Sequence, residues 1–304
     1  MSHTTGVIYV ATGDRYIREA EQSARSLRRV CPDLPITLIA DKPVESPLFD
    51  QVLILPNPGY RSADKIEGIR MSPYEHTLFL DSDTYVVGDI TTVFTLLDRF
   101  DIAAAHDIRI ESQPAPGMPD CFPEYNSGVV VCKKSPRLAD LLARWADDYQ
   151  ARLETWDGEG RLNEQPSFRR ALFDSSARIA TLPPEYSCRP NTGRLFAAVK
   201  ILHERGDEAY LQRIANILNA QIGKRVHFIR QEPRRMIGMR RRIKGPSKRG
   251  KPRPQVIWIL SHNRKPNRVR ELKISFEKRG YWGTVRFIIQ KIAARLGLAR
   301  HSEP

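Results

Sequence analysis

His76-Thr77-Leu78-Phe79-Leu80-Asp81-Ser82-Asp83-Thr84-Tyr85-Val86-Val87 sets a short apolar run directly against two carboxylates one residue apart. Leu78, Phe79 and Leu80 read as a buried strand, because a continuous apolar run of this length suits a strand covered on both faces. On an extended backbone, period-two geometry sends Asp81 and Asp83 to one side and Ser82 to the other. Two like charges so placed repel each other unless a cation or hydrogen-bond donors lie between them. Hard oxygen ligands favour Mg²⁺ or Mn²⁺, ions that commonly bridge to phosphates. An acidic turn after a core strand is the bland alternative. The rest of the chain has to choose between the two.

Working towards the N-terminus, residues 6–10 read as a strand, with Ala11-Thr12-Gly13-Asp14 as the turn after it. Ile17, Ala20, Ala24 and Leu27 recur at steps of three and four, which predicts a helix over Tyr16 to Val30. Cys31-Pro32-Asp33-Leu34-Pro35 stops it; Ile36-Thr37-Leu38-Ile39-Ala40 and Val52-Leu53-Ile54-Leu55 are two further strands. A helix is expected over 62–72. Beyond the Asp-x-Asp stretch come a short helix from Val93 to Phe100, a strand over Ile102 to Ala105 and a polar loop over 108–122. A strand over Tyr125 to Cys132, an amphipathic helix over Ser135 to Ala151 and a helix opening at Leu162-Asn163-Glu164-Gln165-Pro166 follow. Ile179 to Leu182 and Val199 to Leu202 are the last apolar runs of the body, the second ending at His203. Strands alternating with helices predict an α/β fold with a mostly parallel, helix-covered sheet. Ligands in such sheets sit beyond the C-terminal strand ends, where Thr12, Gly13, Asp41, Asp81 and Asp83 all fall.

The 304 residues carry a formal charge of +14, unevenly spread. From Asp207 onward there are 25 Lys/Arg and 6 Asp/Glu, a balance of +19, so the first 206 residues are mildly acidic at −5. Any polyanion therefore meets the C-terminal part. No apolar run reaches the ~18–20 residues of a membrane span. Met1 to Thr5 lacks the basic start of a signal peptide. Cys31, Cys121, Cys132 and Cys188 form no Cys-x-x-Cys pair, which favours reduced thiols in a cytoplasmic protein over zinc sites or disulfides.

Six features, in one order over two-thirds of the chain, carry a family resemblance. They are the first strand with Ala11-Thr12-Gly13-Asp14-Arg15-Tyr16, Lys65 sixteen residues before Asp81, Phe79-Leu80-Asp81-Ser82-Asp83-Thr84, Tyr125-Asn126-Ser127-Gly128-Val129, Asn163-Glu164-Gln165, and Ile201-Leu202-His203 followed by Gly206. Together they resemble glycosyltransferase family 8, the retaining nucleotide-sugar transferases of the GT-A fold that include the glycogenins and bacterial lipopolysaccharide sugar transferases. The resemblance implies that Asp81, Asp83 and His203 hold a divalent ion, Mn²⁺ or Mg²⁺, bridging the donor diphosphate. It places Thr12, Tyr16 and Asp41 at the nucleoside and gives Ser82 a place in the donor site. Lys65 and Arg70 would supply positive charge near the phosphates or donor sugar. Asn126 and Ser127 would bond sugar hydroxyls beside Gly128, and Glu164 and Gln165 would lie under the sugar. The implied reaction moves a hexose from a UDP-sugar to a hydroxyl of a glycan, lipid or protein acceptor.

The chain departs from the family's pattern at two places. Glu164 stands where the family has Asp, and Asp207-Glu208-Ala209-Tyr210 follow Gly206 where the family has a lysine; Arg205 or a basic tail residue is the candidate replacement. Residues 1–230 form the expected transferase domain and 231–304 a basic extension. In the extension, Arg240-Arg241-Arg242 and Lys248-Arg249-Gly250-Lys251 precede Trp282, Val285, Ile289, Ile292 and Leu296 at helical steps. A basic amphipathic helix beside a polybasic run suits docking on an anionic membrane surface, as a peripheral protein on its inner face; packing on the transferase domain is the alternative. Nucleic acid is disfavoured, since few aromatics interleave with the charges. A haloacid-dehalogenase-type phosphatase is the rival enzyme, though its motif wants Thr or Val where this chain has Tyr85. A non-catalytic basic adaptor is the rival binding protein.

Overall fold

The computed structural model describes residues 4–107, 117–158, 162–190, 195–220 and 222. The expected loop over 108–122 lies partly outside the described residues, and the basic extension 231–304 wholly outside them. The chain runs β1 (Thr5–Ala11), α1 (Asp14–Val30), β2 (Ile36–Ala40), β3 (Gln51–Ile54), α2 (Asp64–Arg70), β4 (His76–Leu80), β5 (Thr84–Val86) and β6 (Ile102–His106). It continues with β7 (Tyr125–Lys133), α3 (Pro136–Glu154), α4 (Gln165–Asp174), β8 (Ile179–Leu182), β9 (Ile201–His203) and α5 (Glu208–Asn219). The helix expected from Val93 to Phe100 is a 3₁₀ segment, Thr91–Asp98. Thr95 Oγ1 donates to the Thr92 carbonyl at 2.8 Å, a local side-chain bond that competes with regular helix in this β-branched run.

Seven strands form one mixed sheet in the order β3-β2-β1-β4-β7-β6-β8. The β3-β2, β2-β1, β1-β4 and β6-β8 pairs are parallel, while β7 runs against both neighbours. The mostly parallel α/β sheet read from the sequence is the one observed. Alternation along the strands divides the core between two faces. Val7, Tyr9, Leu78, Leu80, Val129 and Val131 pack with α1 on one side. Ile8, Phe79, Val130 and Cys132 pack with α3 and α4 on the other. Each such fully buried aliphatic contributes about 1.5–3 kcal/mol.

A second, two-stranded sheet matters most for the site. β5 and β9 pair antiparallel with Thr84 opposite His203, Tyr85 opposite Leu202 and Val86 opposite Ile201. This ribbon is tied to α1: Ser23 Oγ meets Thr84 Oγ1 at 2.8 Å, and the Val86 N–H donates to Ser26 Oγ at 2.8 Å. Residues more than a hundred positions apart are thereby held in register at the C-terminal end of β4. Among the described residues no helix is long and apolar enough to cross a membrane.

Candidate active site

Asp81-Ser82-Asp83 is not extended, as period-two geometry requires, but a turn closed by the Thr84 N–H donating to the Asp81 carbonyl at 3.1 Å. Thr84 Oγ1 donates to the same carbonyl at 2.8 Å, and the Asp81 N–H donates to the Gly128 carbonyl at 2.8 Å. The two carboxylates converge all the same, because the ribbon brings His203 between them. His203 Nε2 lies 3.1 Å from Asp83 Oδ1 and 3.8 Å from Asp81 Oδ2. One ligand atom from each of the three residues falls within 4.8 Å of the others, a spacing open to one divalent ion.

One further observation fits a cation there. A Cβ added to Gly128 would sit 2.3 Å from His203 Cε1 and 2.6 Å from Asp81 Oδ2, so only a bare backbone leaves the cradle intact. Two carboxylates with one imidazole form a donor set suited to Mn²⁺ or Mg²⁺.

Cations of the chain surround the aspartates. Lys65, at the start of α2 and 7% exposed, lies 2.8 Å from Asp81 Oδ1 and 2.9 Å from Glu164 Oε1. Burial opposes its charge, but the two carboxylates outweigh that and raise its pKa. Burial likewise opposes ionisation of Glu164, yet Lys65 and the hydroxyl of Ser127, 2.7 Å away, hold it at about 2. Arg205 Nε reaches Asp83 Oδ2 at 3.2 Å and Glu19 Oε2 at 3.4 Å. Partial burial raises the pKa of Asp83; His203, Arg205 and Arg189 overcome this and keep it well below the ordinary carboxylate range.

Beside this cluster lies a network of hydrogen-bonded amide, hydroxyl and carboxylate side chains. Asn126, at the start of β7, accepts from the Gly128 N–H at 3.0 Å and from Ser187 Oγ at 3.3 Å. Its Nδ2 donates to Asp107 Oδ2 at 3.0 Å and to Gln165 Oε1 at 3.2 Å. The turn carrying Glu164 and Gln165 is fixed by Trp145, which is fully buried and whose Nε1 donates to the Glu164 carbonyl at 3.1 Å. Arg152 holds the Asn163 carbonyl at 2.9 Å.

The nucleoside candidates lie along the ends of β1 and β2. Asp41 Oδ1 accepts the Gly13 N–H at 2.8 Å, and Thr12 Oγ1 donates to Asp64 Oδ2 at 2.9 Å. The Tyr16 ring has the Arg15 and Arg205 guanidinium groups 5.6 and 5.8 Å from its centroid. Tyr60, 63% exposed, sits at φ 53° with its hydroxyl 3.4 Å from Asp41 Oδ2. Ser82 turns away from the aspartates to Glu19 Oε2, 3.3 Å away. Arg70 lies at the far end of α2, on the surface, paired with Glu67 at 3.3 Å. Glu19, Tyr60, Asp64, Asp107, Glu124, Ser187 and Arg189 belong to no motif in the sequence. For Asp107 a signal existed, since it follows a strand at the same end of the sheet as Asp41 and Asp81.

No family model and no curated protein sequence matches the chain. Among solved structures it is similar to galactosyltransferase LgtC in complex with donor and acceptor sugar analogs, at 15% identity over 70% of this chain and 96% of that one, with a TM-score of 0.48. It is similar to glycosyltransferase GlyE of Streptococcus pneumoniae at 17% identity, covering 71% of this chain and 63% of that one, TM-score 0.48. It is also similar to mouse xyloside xylosyltransferase 1 at 16% identity, covering 67% of this chain and 98% of that one, TM-score 0.44.

Proposed function

We propose that the chain is a metal-dependent, retaining glycosyltransferase of the GT-A type that moves a hexose from a UDP-sugar to a hydroxyl acceptor. The observation that carries the reading is the convergence of Asp81, Asp83 and His203 beside the hydrogen-bonded side chains of Asn126, Ser127, Glu164 and Gln165. Asp81, Asp83 and His203 would hold Mn²⁺ or Mg²⁺, which neutralises negative charge on a departing nucleoside diphosphate.

The chain's own residues account for the other requirements. Lys65 holds the Asp81 and Glu164 side chains in place with one shared cation. Asn126, Ser127 and Gln165 offer directional donors and acceptors to sugar hydroxyls. Thr12, Tyr16 and Asp41 flank the edge where the nucleoside would lie. Arg205 stands next to Asp83, where a cation can meet a phosphate oxygen. Such preorganised charge, aimed where charge develops, accounts for most of the rate enhancement in many enzymes.

A panel of UDP-sugars assayed for Mn²⁺-dependent UDP release or transfer tests the reading, with Asp83→Ala as control. At least one sugar is expected to turn over and the variant to lose that turnover. Unchanged turnover in the variant would remove Asp83 from the mechanism. Hydrolysis of a generic phosphoester with no nucleotide-sugar turnover would favour the phosphatase reading instead.

A further inference from the structure

Gln165 sits in a setting that fixes which way its side-chain amide faces. Its Nε2 donates to Glu124 Oε1 at 3.2 Å and to Asp107 Oδ2 at 3.3 Å, which uses both N–H bonds. Its Oε1 accepts from Asn126 Nδ2 at 3.2 Å. An ionised carboxylate only accepts hydrogen bonds. The flipped amide would therefore set its oxygen against two carboxylates and its NH₂ against the Asn126 NH₂. Only one orientation is compatible with its neighbours, and it turns Oε1 toward Asn126, whose own carbonyl oxygen accepts the Gly128 N–H.

Glu124 is the unusual member of this set. It is 4% exposed, yet it keeps its carboxylate in the interior, and it precedes β7 without belonging to any motif. Behind it Arg169, 6% exposed, has Nε 3.9 Å from Glu124 Oε2 and donates through Nη2 to the Phe122 carbonyl at 2.5 Å. A charged row thus runs from Arg169 through Glu124 to the Gln165 amide. A glutamine at 124 would fill the same space without a buried charge, but it could present either a donor or an acceptor. It would leave the Gln165 amide free to turn over. Charge at this position specifies orientation where shape alone does not.

We infer that Glu124 is a positioning residue for Gln165: together with Asp107 it captures both amide hydrogens, locks the carbonyl oxygen toward the sugar pocket and polarises it. Hydrogen bonds in series strengthen one another, so two anions on the NH₂ make Oε1 more negative. Given the glycosyl-transfer reading, on which this part rests, such an oxygen stabilises the positive charge that develops on a sugar ring as its bond to the leaving group breaks.

Two readouts on Glu124→Gln and Glu124→Asp test this in the full chain. The first needs no substrate: the side-chain NH₂ signal of Gln165, identified as the one lost in Gln165→Met, is followed by NMR. Slow hydrogen exchange is expected in the wild type. Exchange about tenfold or more faster is expected in Glu124→Gln, with Glu124→Asp intermediate because it keeps an acceptor-only group. Unchanged exchange in both variants would overturn the positioning role whatever the activity. The second readout is steady-state kinetics with the UDP-sugar that the wild type uses. Here kcat is expected to fall on the order of tenfold with the donor KM unchanged, as when a supporting partner is lost. A loosened amide with unchanged kcat would overturn the catalytic purpose of the positioning. Absence of nucleotide-sugar turnover in the wild type would defeat the functional reading, while the NMR arm still decides the role of Glu124. Should Glu124→Gln not fold, Glu124→Asp supplies both comparisons.

Discussion

Gly128→Ala places a methyl group where the structure has no room for one. The added carbon would lie 2.3 Å from His203 Cε1, 2.6 Å from Asp81 Oδ2 and 3.1 Å from Asn126 Oδ1. Carbon atoms settle at about 3.5–4.0 Å, so the imidazole has to retreat by more than about 1 Å. It has little freedom to do so: His203 is 3% exposed and its backbone is paired with Thr84, while Asp81 is held by Lys65 at 2.8 Å. Overpacking of this kind costs about 1–3 kcal/mol. Changes that reorient a metal ligand weaken binding by about 10–100-fold. Calorimetric titration of Mn²⁺ in the presence of UDP is expected to show at least about a tenfold loss of affinity in the variant. Gly68→Ala is the control. Its new carbon would lie 2.2 Å from Val10 Cγ2, so it overpacks α2 against β1 with only Val10 atoms nearest to it. It should lower stability by a similar amount and leave Mn²⁺ affinity unchanged. Wild-type Mn²⁺ affinity in Gly128→Ala would refute the reasoning.

Other outcomes follow from the same geometry. Lys65→Met leaves Asp81 and the buried Glu164 without their shared cation, at about 3–5 kcal/mol in urea unfolding; added Mn²⁺ should restore part of that loss, because it binds only the folded chain. Asp101, 2% exposed, receives the Arg178 backbone N–H at 2.9 Å and its guanidinium at 2.9 and 3.0 Å, contacts that hold its carboxyl well below the ordinary range. A carboxyl with a lowered folded pKa stabilises above its unfolded value of about 3.9, and that contribution is lost as the pH falls below it. Asp101→Asn should therefore cost about 1–3 kcal/mol at pH 7 and progressively less below pH 4; an equal cost at pH 7 and pH 3 would exclude an ionic role. The basic extension is expected to carry the chain onto anionic vesicles, so full-length protein should sediment with them and residues 1–230 should not. Equal sedimentation of the two would reject that proposal.

The order of the elements and their end of the sheet could be read from apolar runs and their punctuation, because parallel strands buried on both faces are nearly pure hydrophobic segments. β7 could have been anticipated as antiparallel: the sequence between it and β6 is polar and proline-rich, without the apolar periodicity of a crossover helix, and parallel neighbours need a crossover. β5 was not legible, since three residues after an acidic turn give no periodicity. Its pairing with β9 depends on α1 and on a register that no local pattern encodes. The same limit explains the site. Asp81, Asp83, Gly128 and Gln165 sit in recognisable motifs. Glu124, Arg189 and Ser187 enter only through long-range packing. Arg70 shows the converse: its helix is legible in the sequence, but one turn and a half beyond Lys65 that helix has carried it away from the strand ends.

The most direct test of the account is anomalous diffraction at the manganese edge from crystals soaked with Mn²⁺ and UDP. The account predicts one strong peak bonded to carboxylate oxygens of Asp81 and Asp83 and to the imidazole of His203. A nucleotide bound with no peak between those three side chains, or with the ion held elsewhere, would contradict it.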